Sequence, residues 1–339
     1  TTSLEIASYA PATYRVAKAR LTFEYVTSRV RCNGQSRALQ IAKAESALYA
    51  VLIGWKKRLQ MALNFSLRRE RHAIGEFTAT LQFFNPISPA GFTNVLTALG
   101  EMAQRFKLPA QMPMNLLEVS FGQPFMINAP VGQNATFAGY QRFSEIGEVA
   151  ESLRCDLVSI NYTLRDYSTW DEIKPRLLAI FSELSAIYAA EVPAINSIRV
   201  QYVNEFMAKE AKTVSVSEIF REGTPWIAGF HLYSSDAWHC HVGNFIPKDE
   251  IQRNLVNVNC DISLATSVPD EAMRTYVKVL ILAGCYYNIP EKSPLIIDLS
   301  TLEQTLSEVL EEAHDLEKKV LEEVISDDYL IAIGALDGK

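Results

Sequence analysis

Glu76-Phe77-Thr78-Ala79-Thr80-Leu81-Gln82-Phe83 sets an apolar side chain at every second position, the period of a strand with one buried face. Pro86 and the stretch Ser88-Pro89-Ala90-Gly91 then break the chain. Beyond the break, Val95, Leu96, Leu99, Met102 and Phe106 recur at helical spacing. The C-terminal third repeats this arrangement loosely, without a regular strand–helix alternation.

Downstream, Pro109–Pro113 reads as a loop. Strands are expected at 115–121, 136–143 and 153–164, separated by stretches rich in Gly, Pro and Asn. A helix over about 169–191 carries Trp170, Ile173, Leu177, Leu178, Phe181 and Leu184 on one face, and a strand with Ile198, Val200, Tyr202 and Asn204 follows. Further strands are expected at 226–233, 238–246, 253–265, 274–287 and 295–298, before a long acidic helix over about 302–324. Upstream, residues 20–26 alternate like a strand, Asn33-Gly34 marks a turn, and Ile41 to Leu63 carry one apolar helical stripe.

Many hairpin-linked strands with a few long helices define an α+β fold, largely antiparallel sheets with the helices packed on them. Three regions are expected: a basic N-terminal segment over 1–72, an α+β unit over 73–210, and a second α+β unit over 211–339 that ends in the acidic helix.

Composition supports a folded protein, with 48% hydrophobic and 21% charged residues in 339. No apolar run approaches the ~20 residues that span a bilayer, and the first residues lack the basic-then-apolar layout of a secretory signal. The five cysteines (Cys32, Cys155, Cys240, Cys260, Cys285) are widely spaced, odd in number and never form a C-x-x-C pair. That argues against a disulfide framework or a zinc ribbon and for a reducing, cytoplasmic location.

The net charge of −7 conceals an asymmetry. Residues 1–72 hold thirteen Lys and Arg against four Asp and Glu, a balance of +9, which leaves −16 on the remainder. Lys56, Lys57, Arg58, Arg68, Arg69 and Arg71 are the candidate contacts for a protein partner or nucleic acid. The Ile41–Leu63 stripe is a candidate homo-oligomer contact.

His231-Leu232-Tyr233-Ser234-Ser235-Asp236-Ala237-Trp238-His239-Cys240-His241 is the candidate metal site. On a strand, His239 and His241 share a face, and a hairpin turning at Ser234-Ser235-Asp236 brings His231 beside them if residue 231 pairs with 239. If it pairs with 240 instead, the cluster dissolves. An all-imidazole face suits zinc or another borderline metal. His314 lies among Glu311, Glu312, Asp315 and Glu317 and reads as a packing or capping residue, while Tyr202 and Asn204 share a strand face as a buried pair or a pocket floor. No phosphate loop, dinucleotide fingerprint or nucleophile elbow occurs in the sequence. Catalytic residues and cofactors are therefore not assigned.

Four segments carry a resemblance: the strand Glu76 to Phe83 with its following helix, Tyr167-Ser168-Thr169-Trp170, Val200-Gln201-Tyr202-Val203-Asn204, and Glu311-Glu312-Ala313-His314-Asp315-Leu316. Taken in order over about 73–335, the chain resembles a sporadically distributed TIGR family of uncharacterised bacterial proteins. Many of those relatives carry a basic residue where this chain has Gln201, and residues 1–72 look like an addition. The resemblance implies a fold and a bacterial cytosolic origin, and its patchy occurrence points to mobile or defence-linked loci. It brings no catalytic residues with it. The expected function is a non-catalytic binding or assembly module; the alternative is a metal-dependent hydrolase or nuclease-like enzyme using His231, His239 and His241.

Overall fold

The structure, a computed structural model, describes residues 65–67, 72–112, 137–209, 216–234, 236–248, 252–265, 274–287, 295–296 and 300–333. Residues 65–326 form one compact unit, and residues 1–64 with 327–339 form another.

The larger unit is built on one antiparallel sheet. Its strands are β1 (Phe65–Leu67), β2 (Ile74–Phe83), β3 (Ala110–Gln111), β4 (Phe137–Phe143), β5 (Val149–Asp156), β6 (Ser159–Leu164), β7 (Ala194–Ala208), β8 (Trp238–Pro247), β9 (Gln252–Ala265), β10 (Arg274–Tyr287) and β11 (Leu295–Ile296). They lie in the order β3-β4-β5-β6-β2-β7-β10-β9-β8, with β1 and β11 also paired to β7. The fold is α+β, as the alternating strands and separate helical stripes require. The sheet runs without a break past residue 210, because β7 pairs with β10 from Ser197↔Tyr286 to Met207↔Tyr276. The stretches 73–210 and 211–326 thus share one sheet.

Three long helices, α1 (Pro89–Arg105), α2 (Trp170–Ala189) and α4 (Leu302–Val324), lie on one face. Helix α2 packs between the other two, and α4 lies on β7 and β10. Phe77, Ala79, Leu81 and Phe83 of β2 point into this layer and are fully buried, as their period of two requires. Helix α4 buries Leu302, Leu306, Val309, Leu310 and Ala313 along one stripe, each leucine contributing about 2 kcal/mol by its burial. The opposite sheet face is mixed, with polar side chains set among Val203, Leu255, Leu280 and Leu282. One cross-strand row runs Ser152, Thr163, Thr78, Gln201, Leu282, Asn257 and Gly243.

Two local expectations are corrected. Residues 226–233 do not form a strand: Gly229–Leu232 is a helical turn, α3, closed by His231 N donating to Ala228 O at 2.9 Å. The single strand expected over 153–164 is a hairpin, β5 and β6. Its turn is set by Asp156, whose carboxylate accepts from Val158 N at 2.9 Å and from Ser159 Oγ at 2.7 Å. In the smaller unit the described residues form a short helix, α5 (Asp327–Ile333), with Asp327 and Asp328 in its first turn. Among the described residues no helix is long and apolar enough to cross a membrane.

Candidate functional site

Strand β2, the start of α2, strand β7 and the middle of α4 meet at one place. From β7, Tyr202 points into the helix layer, its hydroxyl 2.8 Å from His314 Nδ1 of α4 in a shared hydrogen bond. From the start of α2, the Trp170 ring stacks on the imidazole, with centroids 4.4 Å apart and planes within 17°. From the loop before α2, the Tyr167 ring meets Tyr202 edge-on at 5.7 Å, and from β2 the Phe77 ring lies 4.9 Å from Tyr202. His72 fixes that loop, because its Nε2 lies 2.7 Å from the carbonyl oxygen of Tyr167. Thr169 caps α2 by accepting from Glu172 N, which places Trp170 as the first helical residue.

The outer rim of the cluster is charged. Trp170 Nε1 donates to Glu311 Oε2 at 3.0 Å, and Lys174 Nζ reaches the same oxygen at 2.5 Å. These two donors hold the Glu311 carboxyl below its ordinary range.

Inside the rim the neutral forms win. Burial, with Lys318 adding to it, pushes His314 down to about 4. Glu317, one turn further along α4, is pushed up to about 8 by burial, against the opposing pull of Lys318. Burial also raises the phenols of Tyr167 and Tyr202. At pH 7 the cluster is therefore a neutral imidazole, a largely protonated carboxyl and two phenols. Two atoms in this layer, Asn204 Nδ2 and Glu317 Oε1, are buried without a hydrogen-bond partner.

Two surface clefts lie elsewhere. One, of about 350 Å³, opens beside the β4–β5 turn against Arg165 and Asp166. The other, of about 580 Å³, lies where Lys174, Leu178 and Ser182 of α2 face Glu303 of α4. Neither is lined by His314, Tyr202 or Glu317.

The structure separates the histidines of the candidate metal site. His239 and His241 share the exposed face of β8, where His239 Nδ1 pairs with Asp261 Oδ1 across the strands and His241 stands opposite Asn259. His231 lies in α3 and stacks on Trp238, which alternates to the other face of β8, at 4.8 Å. Three imidazoles sharing one face would require the hairpin that the α3 turn replaces. Among the described residues no group of three or more His, Cys, Asp or Glu is arranged to hold a metal ion. Lys56, Lys57, Arg58, Arg68, Arg69 and Arg71, and the Ile41–Leu63 stripe, lie outside the described residues.

His72 carried no mark in the sequence, and Glu317 only that of one carboxylate among several around His314. Glu317 had a further signal: it sits three residues after His314 and three before Val320, on the apolar stripe of an otherwise amphipathic helix. Compared with protein-family models, curated proteins and solved structures, the chain matches none of them.

Proposed function

We propose that the chain is a non-catalytic binding and assembly module of the bacterial cytosol, in a mobile-element or defence-linked setting. The observation that supports this reading is the sealing of the ionisable cluster. Tyr202, Glu317 and His314 are 1%, 3% and 9% exposed. General acid–base work needs a proton-transfer group within hydrogen-bond reach of the substrate, and a seal of Trp170, Tyr167 and Phe77 is packing chemistry instead. Recognition then falls to the surface. The basic residues Lys56, Lys57, Arg58, Arg68, Arg69 and Arg71, set against a remainder of −16, supply the contact with a protein partner or nucleic acid.

The test uses the full chain and a variant with these six residues changed to Glu. Fluorescence anisotropy with short DNA and RNA duplexes and single strands, at low and moderate salt, reads the contact. The expected outcome is binding that weakens steeply with salt, as counterion release demands, and that disappears in the variant. Binding indifferent to salt, or none, removes nucleic acid as the partner and leaves a protein at that surface.

A further inference from the structure

We infer that β8 is a self-association edge, and that two copies of this chain join by antiparallel pairing of β8 with β8 into one continuous sheet. The contact is separate from the basic surface proposed above and holds whether or not that surface binds nucleic acid.

The first argument is the state of the edge. Among the described residues β8 is the last strand of the sheet, paired on one side only, with β9. Alternate residues of such a strand direct N–H and C=O groups outward with no ladder partner, a template for another strand. Proteins usually blunt such edges with charge, proline, bulges or brevity. The opposite edge, β3, is two residues long. Strand β8 is ten residues long, and between Trp238 and Ile246 it carries no Asp, Glu, Lys, Arg or Pro. Its register with β9 runs from Trp238↔Ile262 to Pro247↔Arg253 without a bulge.

The second argument selects the occupant. Exposed apolar side chains gather at both ends of the strand. Phe230 packs on His231, which stacks on Trp238 at one end; Phe245 and Ile246 stand at the other. Antiparallel self-pairing centred on Val242 places Trp238 opposite Ile246 of the second copy and His239 opposite its Phe245. The two apolar ends then cover each other, twice, by the twofold symmetry of an isologous contact. The flanking charges agree. Asp236 precedes β8 and Lys248, which pairs with Glu312 of its own chain, follows it. The same register sets Asp236 opposite Lys248 of the second copy, where it would add to that pair. Parallel pairing would set Asp236 against Asp236 and Lys248 against Lys248. An unrelated extended peptide would have to supply the aromatic ends and both flanking charges itself, whereas a second copy already carries them.

The experiment is sedimentation equilibrium of the full chain over a range of micromolar concentrations, beside a His241→Lys/Ile246→Lys variant. His241 and Ile246 are exposed and lie on opposite faces of the edge, so both added charges meet solvent in the monomer. In the pair the lysine at 241 stands diagonal to its like in the second copy, and the one at 246 replaces the apolar side chain that covers Trp238. The wild type is expected at twice its 38.0 kDa mass. The variant is expected to have a dissociation constant about a hundredfold higher, from one like-charge pair and the lost apolar cover on Trp238, with an unchanged far-UV circular dichroism spectrum that shows the fold intact. A second variant, Asn244→Cys, fixes the register: its new thiol falls opposite Cys240 of the second copy, and mild oxidation should give a covalent dimer that Cys240→Ser abolishes. A wild type that stays monomeric throughout, or a dimer that survives both lysines, overturns the inference.

Discussion

At the scale of single residues, the carboxyl of Glu317 and the imidazole of His314 act on stability in opposite directions. Glu317 has a folded-state value of about 8 against an ordinary 4.5. Between those values the folded chain keeps a proton that the unfolded chain has lost, so this contribution is complete below pH 4.5 and is lost as pH rises to 8. His314 has a folded-state value of about 4 against 6.5. Below 6.5 the unfolded chain takes a proton that the folded chain refuses, so stability falls as pH drops through that window. The two slopes oppose each other between 4.5 and 6.5, and only the Glu317 slope remains from 6.5 to 8. Wild-type stability should therefore decline over that upper range by about 1.4 kcal/mol per pH unit from this one group, and Glu317→Gln should remove the decline. Urea unfolding at pH 6.5, 7.2 and 8 reads it. Parallel curves for the two proteins would mean that Glu317 is ionised in the fold.

At the scale of elements, the helix ends show where the sequence is at odds with its backbone. Helix α1 begins well: Ser88 caps it by accepting from Gly91 N at 3.0 Å, and the backbone N–H and hydroxyl of Ser88 both donate to Glu191, just past the end of α2. A Cβ on Gly91 would fall 2.1 Å from a Glu191 carboxylate oxygen, so a larger residue there would push the Glu191 side chain away from Ser88. Its other end is less suited. Lys107 holds φ at 57°, the left-handed region that glycine enters without steric cost. Lys107→Gly should raise stability by up to about 1 kcal/mol, read as a higher denaturation midpoint at unchanged slope. A lower midpoint would mean that the lysine side chain contributes more than its backbone costs. Element boundaries were legible where the period ran long. The strand over 274–287 and the helix over 302–324 match the structure end to end. They were lost where a turn rested on a single side chain: Asp156 folds the chain back although Leu157 and Val158 continue the apolar pattern. The four residues of α3 are too few for either period to register.

At the scale of the whole molecule, β7 is the spine. It is flanked along its length by β2 and β10, covered by α4, and carries Ile195, Ile198, Val200, Tyr202 and Phe206 fully buried. Its amides should exchange only through global opening, while those of β3, held by two residue pairs, exchange through local fraying. Hydrogen exchange read by mass spectrometry should rank the 195–206 peptides slowest in the sheet. Equal protection of β3 and β7 would contradict that ranking. The fold class, most strand and helix identities and their buried faces were legible in the sequence by itself, because periods of 2 and 3.6 are local properties of the chain. The sequence also marked Tyr167, Trp170, Tyr202 and His314, one by one. Only the tertiary structure brought those four together with Phe77, His72 and Glu317, and sent His231 to the face of β8 opposite His239 and His241. The first outcome depends on strand order and helix docking between distant segments, Tyr202 and His314 lying 112 residues apart, which are settled by the burial of whole faces rather than by neighbours in sequence. The second depends on the short α3 turn packing on Trp238 where a strand was expected.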